Sequence, residues 1–556
     1  MPEPPVKTAT PYLWAAPGDV NAFFGLMLDN VAGLLLTVGL LHVVFEFPTS
    51  FALRYMIPGT AIGVLVGDLL FFWLAFKLAA RTGRQTVTAM PLGLDTPSTF
   101  GMVLFVLGPA FIAAKKAGLD EQAAALKTWH IGICAIFISG IFKFFCAIGS
   151  NQLRKLIPRA GLLGSLTAVA LVLISFLPLI EILHAPMVGL VALAIILVTL
   201  IARIPLPFRT PGALGALLVA GTLYYVLQGL ESSQLLPEMF RPEKLADTIT
   251  HETAVSALLP TEWLTVFRFE WLGAMPDTVQ YLPIIIPFAL GTVVGGIDCT
   301  ESAAAAGDEY DTATVIGIEA GATLLASVCG GVIQTTPYIG HPAYKAMGGR
   351  AAYTLATAIF IGTAGVLGYF AFLYQWIPKP TVFPILIFIG LEITAQSFYA
   401  TPKKHYTAVA LACIPALAAL AMIYVNKLLG DPDMAAVLAQ KPYLLAEQGT
   451  LRMLSNGFIV TSLLWSSALA AAIDRQLFRS GAFFAIAALC TLFGVIHSPL
   501  VSGAMYWPWD LAAEHLKQVA QYTAGYTLIA ILLVAWGGHL WYHGDPGAMH
   551  AAEEVH

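Results

Sequence analysis

The sequence predicts an all-α polytopic membrane protein made of two inverted seven-helix repeats, with about two further helices at the C-terminus. Three observations predict it: the composition, the length of the apolar runs, and an echo between the two halves. Of 556 residues, 58% are hydrophobic and 11% charged, and the mean hydropathy is +0.78. Soluble domains carry about 25% charged residues, so this composition needs lipid as well as a core to cover it. Runs of about 20 apolar residues, the length that crosses a bilayer as a helix, recur along the chain. The net charge of −5, with no basic tract, speaks against a nucleic-acid partner. Six cysteines stand singly, without metal-ligand spacing, and read as small packing residues; no metal or cofactor is expected.

In chain order, residues 1–20 form a Pro-rich polar tail and show no basic-then-apolar signal peptide. The first repeat, 21–229, holds apolar elements at 21–45, 57–80, 97–114, 128–149, 160–180, 186–202 and 211–229. A polar stretch, 230–280, divides the chain. The second repeat, 281–475, holds elements at 281–306, 312–334, 341–349, 351–376, 380–400, 405–428 and 453–473. Residues 476–556 add a transmembrane hairpin, 481–499 and 520–541, and a tail. With the N-terminus inside, the inner loops collect more Lys and Arg, among them Arg81, Arg84, Arg154, Lys345, Lys403 and Lys404, than the outer ones. Cationic loops favour the cytoplasm, which places both termini inside, 230–280 outside, and the protein in the cell membrane.

The halves echo each other at two landmarks. "AIFISGIFKFF" from Ala135 and "AIFIGTAGVLGYF" from Ala358 each lead about 20 residues on to Ile-Pro, at Ile157-Pro158 and Ile377-Pro378. Upstream, "TAMPLGLDTPSTFG" (88–101) parallels "TTPYIGHPAYKAMGG" (335–349). Each is rich in Thr, Pro and Gly and precedes a helix too short to span. Interrupted spans at matching places in two halves point to a transport site, because non-helical backbone is tolerated at that depth only under protein or in a wet cavity. The short helices would begin near Asp95–Ser98 and Gly340–Pro342, with Thr96 and Tyr338 among the residues expected to meet the solute. Their free N–H groups would suit a polar or anionic solute.

Acidic residues add to this. Asp298 and Glu301 end an apolar run and share one helical face. A charged Asp at a span centre costs about 2.5–3.5 kcal/mol on insertion scales and is seldom there without a role. Both are expected to contact substrate and carry the coupling proton, with Na⁺ as the alternative ion. Asp29 holds the matching place in the first half as an accessory. "GDEYD" (307–311) reads as a solvated loop, and Asp68, Glu319 and Glu392 as interhelical hydrogen-bond partners. His341 would donate to the ligand or shuttle its proton. Lys345 reads as a cytoplasmic cation, and His42, His130, His184 and His497 as structural.

Three stretches resemble the xanthine/uracil permease (nucleobase–ascorbate transporter) family, nearer its hypoxanthine–guanine–adenine branch: "AMPLGLDTPSTF" (89–100), "GGIDCTESAAAAG" (295–307) and "QTTPYIGHPAYKAMGGRAAYTLATAIF" (334–360). The resemblance implies core and gate domains, half-helices as the third and tenth elements, and proton-coupled uptake of a nucleobase. It sets Asp298 in the place of the family's acidic residue of the eighth helix and Asp95 in that of an Asn before the third. Gly340 stands where the family has a Glu. An anion or carboxylate exchanger on the same fold is the alternative. A membrane-embedded enzyme lacks support, since H-E-x-x-H and G-x-S-x-G motifs are absent. The expected partners are a small-molecule substrate and the lipid bilayer, with homodimerisation open.

Overall fold

The computed structural model describes residues 12–543 except 157, 208–209, 236–248, 339, 430–431 and 502. Residues 1–11 of the expected tail, Ile157 of one landmark and the middle of the 230–280 stretch lie outside these. The described chain is mostly helical: α1 (Gly18–Phe45), α2 (Thr49–Thr82), α3 (Thr96–Lys116), α4 (Glu121–Leu156), α5 (Arg159–Ile182), α6 (Pro186–Ile201), α7 (Gly212–Ser232), α8 (Leu282–Ala305), α9 (Thr312–Val328), α10 (His341–Ala346), α11 (Ala352–Val366), α12 (Phe370–Trp376), α13 (Lys379–Tyr399), α14 (Tyr406–Leu429), α15 (Pro442–Ser455), α16 (Phe458–Ile473), α17 (Leu477–Leu492) and α18 (Ala513–Tyr542). Among the described residues ten helices are long and apolar enough to cross a membrane, and up to twelve spans result if the bent pairs α11–α12 and α15–α16 each count as one. With the shorter α6, α9, α10 and α17, the hydrophobic elements read from the sequence are all accounted for.

The two short strands, β1 (Leu92–Leu94) and β2 (Thr335–Pro337), stand at the two Thr- and Pro-rich breaks, and they pair antiparallel: Leu92 opposite Pro337, Gly93 opposite Thr336, Leu94 opposite Thr335. Equivalent segments of the two halves therefore run in opposite directions, as inverted repeats require.

The chain forms two compact units, each drawing on both halves. The first comprises residues 1–150, 179–278 and 292–386 and contains the ribbon. Its core packs α1, α2, the C-terminal part of α8, α9 and α11 around the strands, through residues such as Leu26, Phe71, Leu92, Cys299, Val315 and Tyr353. Close approaches there need glycine: a Cβ on Gly59 of α2 would fall on the backbone of Cys329 and Gly331 in the turn after α9.

The second unit comprises 151–178, 279–291 and 387–556. Here α5, α14 and α16 meet through small residues and hydroxyl bonds, Ser466 to the Ala160 carbonyl at 2.7 Å and Ser462 to that of Ala412 at 2.6 Å. His497 bridges the Met453 carbonyl (3.0 Å) and the Tyr526 hydroxyl (2.7 Å), which ties α18 to the α15–α16 bend.

Candidate functional site

The ribbon is the focus of the first unit. Pro91 and Pro337 lie in its extended chain and Pro97 and Pro342 in the first turns of the helices that follow, where a missing N–H is tolerated; non-helical chain inside a span has backbone groups that water cannot reach. Most of its outward-facing groups are met by side chains, nearly all from surrounding helices. Asp68 of α2 accepts from Leu92 N–H at 3.1 Å and Asn30 of α1 from Leu94 N–H at 3.1 Å. The Tyr338 hydroxyl donates to the Leu94 carbonyl at 3.1 Å. Lys143 of α4 donates to the Thr335 carbonyl (3.0 Å), Thr323 of α9 accepts from Thr335 N–H (3.3 Å), and Cys299 of α8 donates to the Pro337 carbonyl (3.3 Å). Asn30 and Asp68 stand near the middle of their long helices, so the ribbon lies at mid-span. Gly93 is needed: a Cβ there would press on the Tyr338 hydroxyl and come within 2.8 Å of Asn30 Oδ1.

Two helices start from the ribbon. At the first, Asp95 caps α3, its carboxylate accepting from Ser98 N–H at 2.8 Å, while its carbonyl accepts from the Ser98 and Thr99 hydroxyls. Asp95 and Thr96 are both buried. At the second, no side chain caps α10; Gly340 is partly exposed and Ala343 exposed. Tyr338, just before it, is partly exposed, and Asp29 of α1, likewise partly exposed, lies beside its hydroxyl.

The α8 helix contributes the acidic pair. Gly296 and Cys299 form its face toward β2: a Cβ on Gly296 would meet Pro337 at 3.6 Å. Asp298 and Glu301 lie on another face, as their spacing predicts, Asp298 partly exposed and Glu301 exposed.

His341 is placed differently from its expected ligand-facing role. Its ring is fully buried, with Nε2 3.1 Å from the Thr88 carbonyl and 3.3 Å from Asp308. Asp308 also pairs with Lys345 at 2.6 Å and Arg84 at 3.0 Å, and accepts from Thr88 N–H at 3.0 Å. The "GDEYD" stretch is thus no solvated loop throughout: Asp308 and Tyr310 are buried, because cations from two distant segments converge there. Burial of Asp308 acts to raise its pKa, but bonds from His341, Lys345 and Thr88 outweigh it and hold the carboxyl below its ordinary value. Lys345, read as a loop cation, closes this cluster.

Sequence reasoning missed Lys143, which pairs with Glu319 of α9 at 2.8 Å, both side chains fully buried. The available signal was a lone Lys amid phenylalanines in an apolar span. Among the described residues no group of His, Cys, Asp and Glu could hold a metal ion.

No family model and no curated protein matches the chain. Among solved structures it is similar to the transmembrane domain of a cyanobacterial bicarbonate transporter, BicA, at 12% identity and TM-score 0.46, covering 74% of this chain and 95% of that one. It is also similar to the murine Slc26a9 anion transporter in the inward-facing state, at 11% identity and TM-score 0.39, covering 77% and 69%. Likenesses this distant leave substrate and residue roles to be argued from the chain itself. They nevertheless correct the resemblance to the xanthine/uracil permeases, since the matched structures belong to a different family. The physical reason is plain in the ribbon. The quoted motifs are Thr, Pro and Gly runs that encode a broken span, and the Glu that would mark a purine site is Gly340.

Proposed function

We propose that the chain is a secondary transporter in the cell membrane, both termini cytoplasmic, that moves a small anion or carboxylate together with H⁺ or Na⁺. The observation that carries this reading is the mid-span ribbon, from which two helices start and beside which partly exposed carboxylates remain. Non-helical backbone at that depth is otherwise a liability, and ionisable groups within spans mark solute and ion pathways. The start of α10 has backbone donors with no side-chain cap, which suits an acceptor-rich solute. Asp298 and Glu301, with Asp29 as accessory, supply the negative charge that a co-transported cation needs. A solute anion and a bound cation then partly neutralise each other, which lowers the cost of moving both.

The test is flux into proteoliposomes. Labelled bicarbonate, formate and sulfate are offered with imposed pH or Na⁺ gradients. Gradient-driven accumulation of at least one is expected, and Asp298→Asn should abolish accumulation while leaving exchange partly intact. Failure of all three anions to move, or accumulation by Asp298→Asn equal to wild type, overturns the reading.

A further inference from the structure

Gln334 and Thr335, which lead into β2, are gripped from two helices at once. From α4, the Ser139 hydroxyl donates to Gln334 Oε1 at 2.5 Å, and Lys143, one turn on, donates to the Thr335 carbonyl at 3.0 Å. From α9, Glu319 holds the Lys143 ammonium at 2.8 Å, and Thr323, one turn on, accepts from Thr335 N–H at 3.3 Å. The grip reaches the other half as well, because the Gln334 carbonyl accepts from Asp95 N–H at 3.0 Å.

A buried ion pair is a weak way to join two helices; apolar residues of similar volume hold them at least as well. An apolar pair cannot, however, donate to the Thr335 carbonyl, which faces away from β1 in a fully buried residue. A long cationic donor can, and Glu319 supplies the counter-charge that an ammonium needs at full burial. The ion pair therefore makes sense as a means of fixing the strand.

Resting on the transport reading above, we propose that Lys143 is a positioning residue of the solute site. Through Thr335 it holds β2, and with it Tyr338, the start of α10 and, by the Cys299–Pro337 contact, the register of α8 that presents Asp298. Glu319, 2.8 Å from its ammonium, holds the Lys143 side chain in place.

The experiment uses the full chain with the double substitution Lys143→Met/Glu319→Leu, which removes both charges without orphaning either. In nanodiscs, hydrogen exchange of peptides spanning 88–101 and 335–349 should quicken by about tenfold or more, as loss of a bond from a charged donor implies, with other spans unchanged. In proteoliposomes, KM for whichever of bicarbonate, formate or sulfate wild type carries should rise by about tenfold, with the maximal rate changed far less. Lys143→Arg, which keeps donor and charge, should restore KM. Ser139→Ala removes one grip without touching the charges and should quicken exchange in 335–349 alone, which keeps the proposal testable if the double variant does not fold. Unchanged exchange overturns the grip, and quickened exchange with wild-type KM overturns the positioning role. If wild type carries none of the three anions, the transport reading fails while the exchange result still decides whether Lys143 holds the strand.

Discussion

Two helices begin at one ribbon, α3 with 21 residues rather than the half-helix the sequence predicts and α10 with 6, and they begin differently. The start of α3 is closed by its own chain: Asp95 caps it, and Asp95 and Thr96 are buried. The start of α10 has no side-chain cap and is partly exposed, with Gly340 where a capping residue would stand. Inverted repeats supply matching backbone, but the side chains close one start and leave the other uncapped and partly exposed. The comparison also explains the spread of carboxylates. Asp95 and Asp68 satisfy backbone donors of the first half, while Asp29 and Asp298 remain partly exposed near the second.

The largest expected effect breaks what both starts share. Lys143→Met alone leaves Glu319 buried without its cation and should destabilise the protein by about 3–5 kcal/mol, read as a fall in the detergent melting temperature. Gly93→Ala drives a methyl against Tyr338 and Asn30 and should cost about 1–3 kcal/mol by overpacking. Asp95→Ala opens the first start and should cost about 0.5–2 kcal/mol by loss of a cap, with Asp95→Asn close to wild type. The smallest effect is one of pH. Asp308 has a lowered folded pKa, so its stabilising contribution is present above the unfolded carboxyl range, about pH 3.9, and is lost as pH falls through the folded value. Asp308→Asn should be less stable at neutral pH and should show a flatter loss on acidification.

Much of this architecture was legible in the sequence. The breaks at 88–101 and 335–349 announce themselves through Pro and Gly, whose backbone effects are local. The shared face of Asp298 and Glu301 follows from helical spacing alone. The partners of buried charges were not legible. Lys143 meets Thr335 from 192 positions away, and Asp308 meets Thr88 from 220, so no local window contains both members. For that reason "GDEYD" reads as solvent-facing and His341 as ligand-facing, although Arg84, Thr88 and Lys345 draw Asp308 and the imidazole inward. The family resemblance went astray on similar ground, since motifs that break a helix say little about what binds beside the break.

The central claim is that the open start of α10 receives the solute, and Gly340→Asp tests it most directly. The φ of −67° at Gly340 accommodates a side chain, and only the Tyr344 ring, 3.2 Å from an added Cβ, must give way. The substitution puts a carboxylate at the start of α10, where an anionic solute would have to approach. Measured as anion uptake into proteoliposomes alongside melting temperature, the account predicts abolished uptake with stability near wild type. Wild-type uptake by a correctly folded Gly340→Asp protein would contradict it.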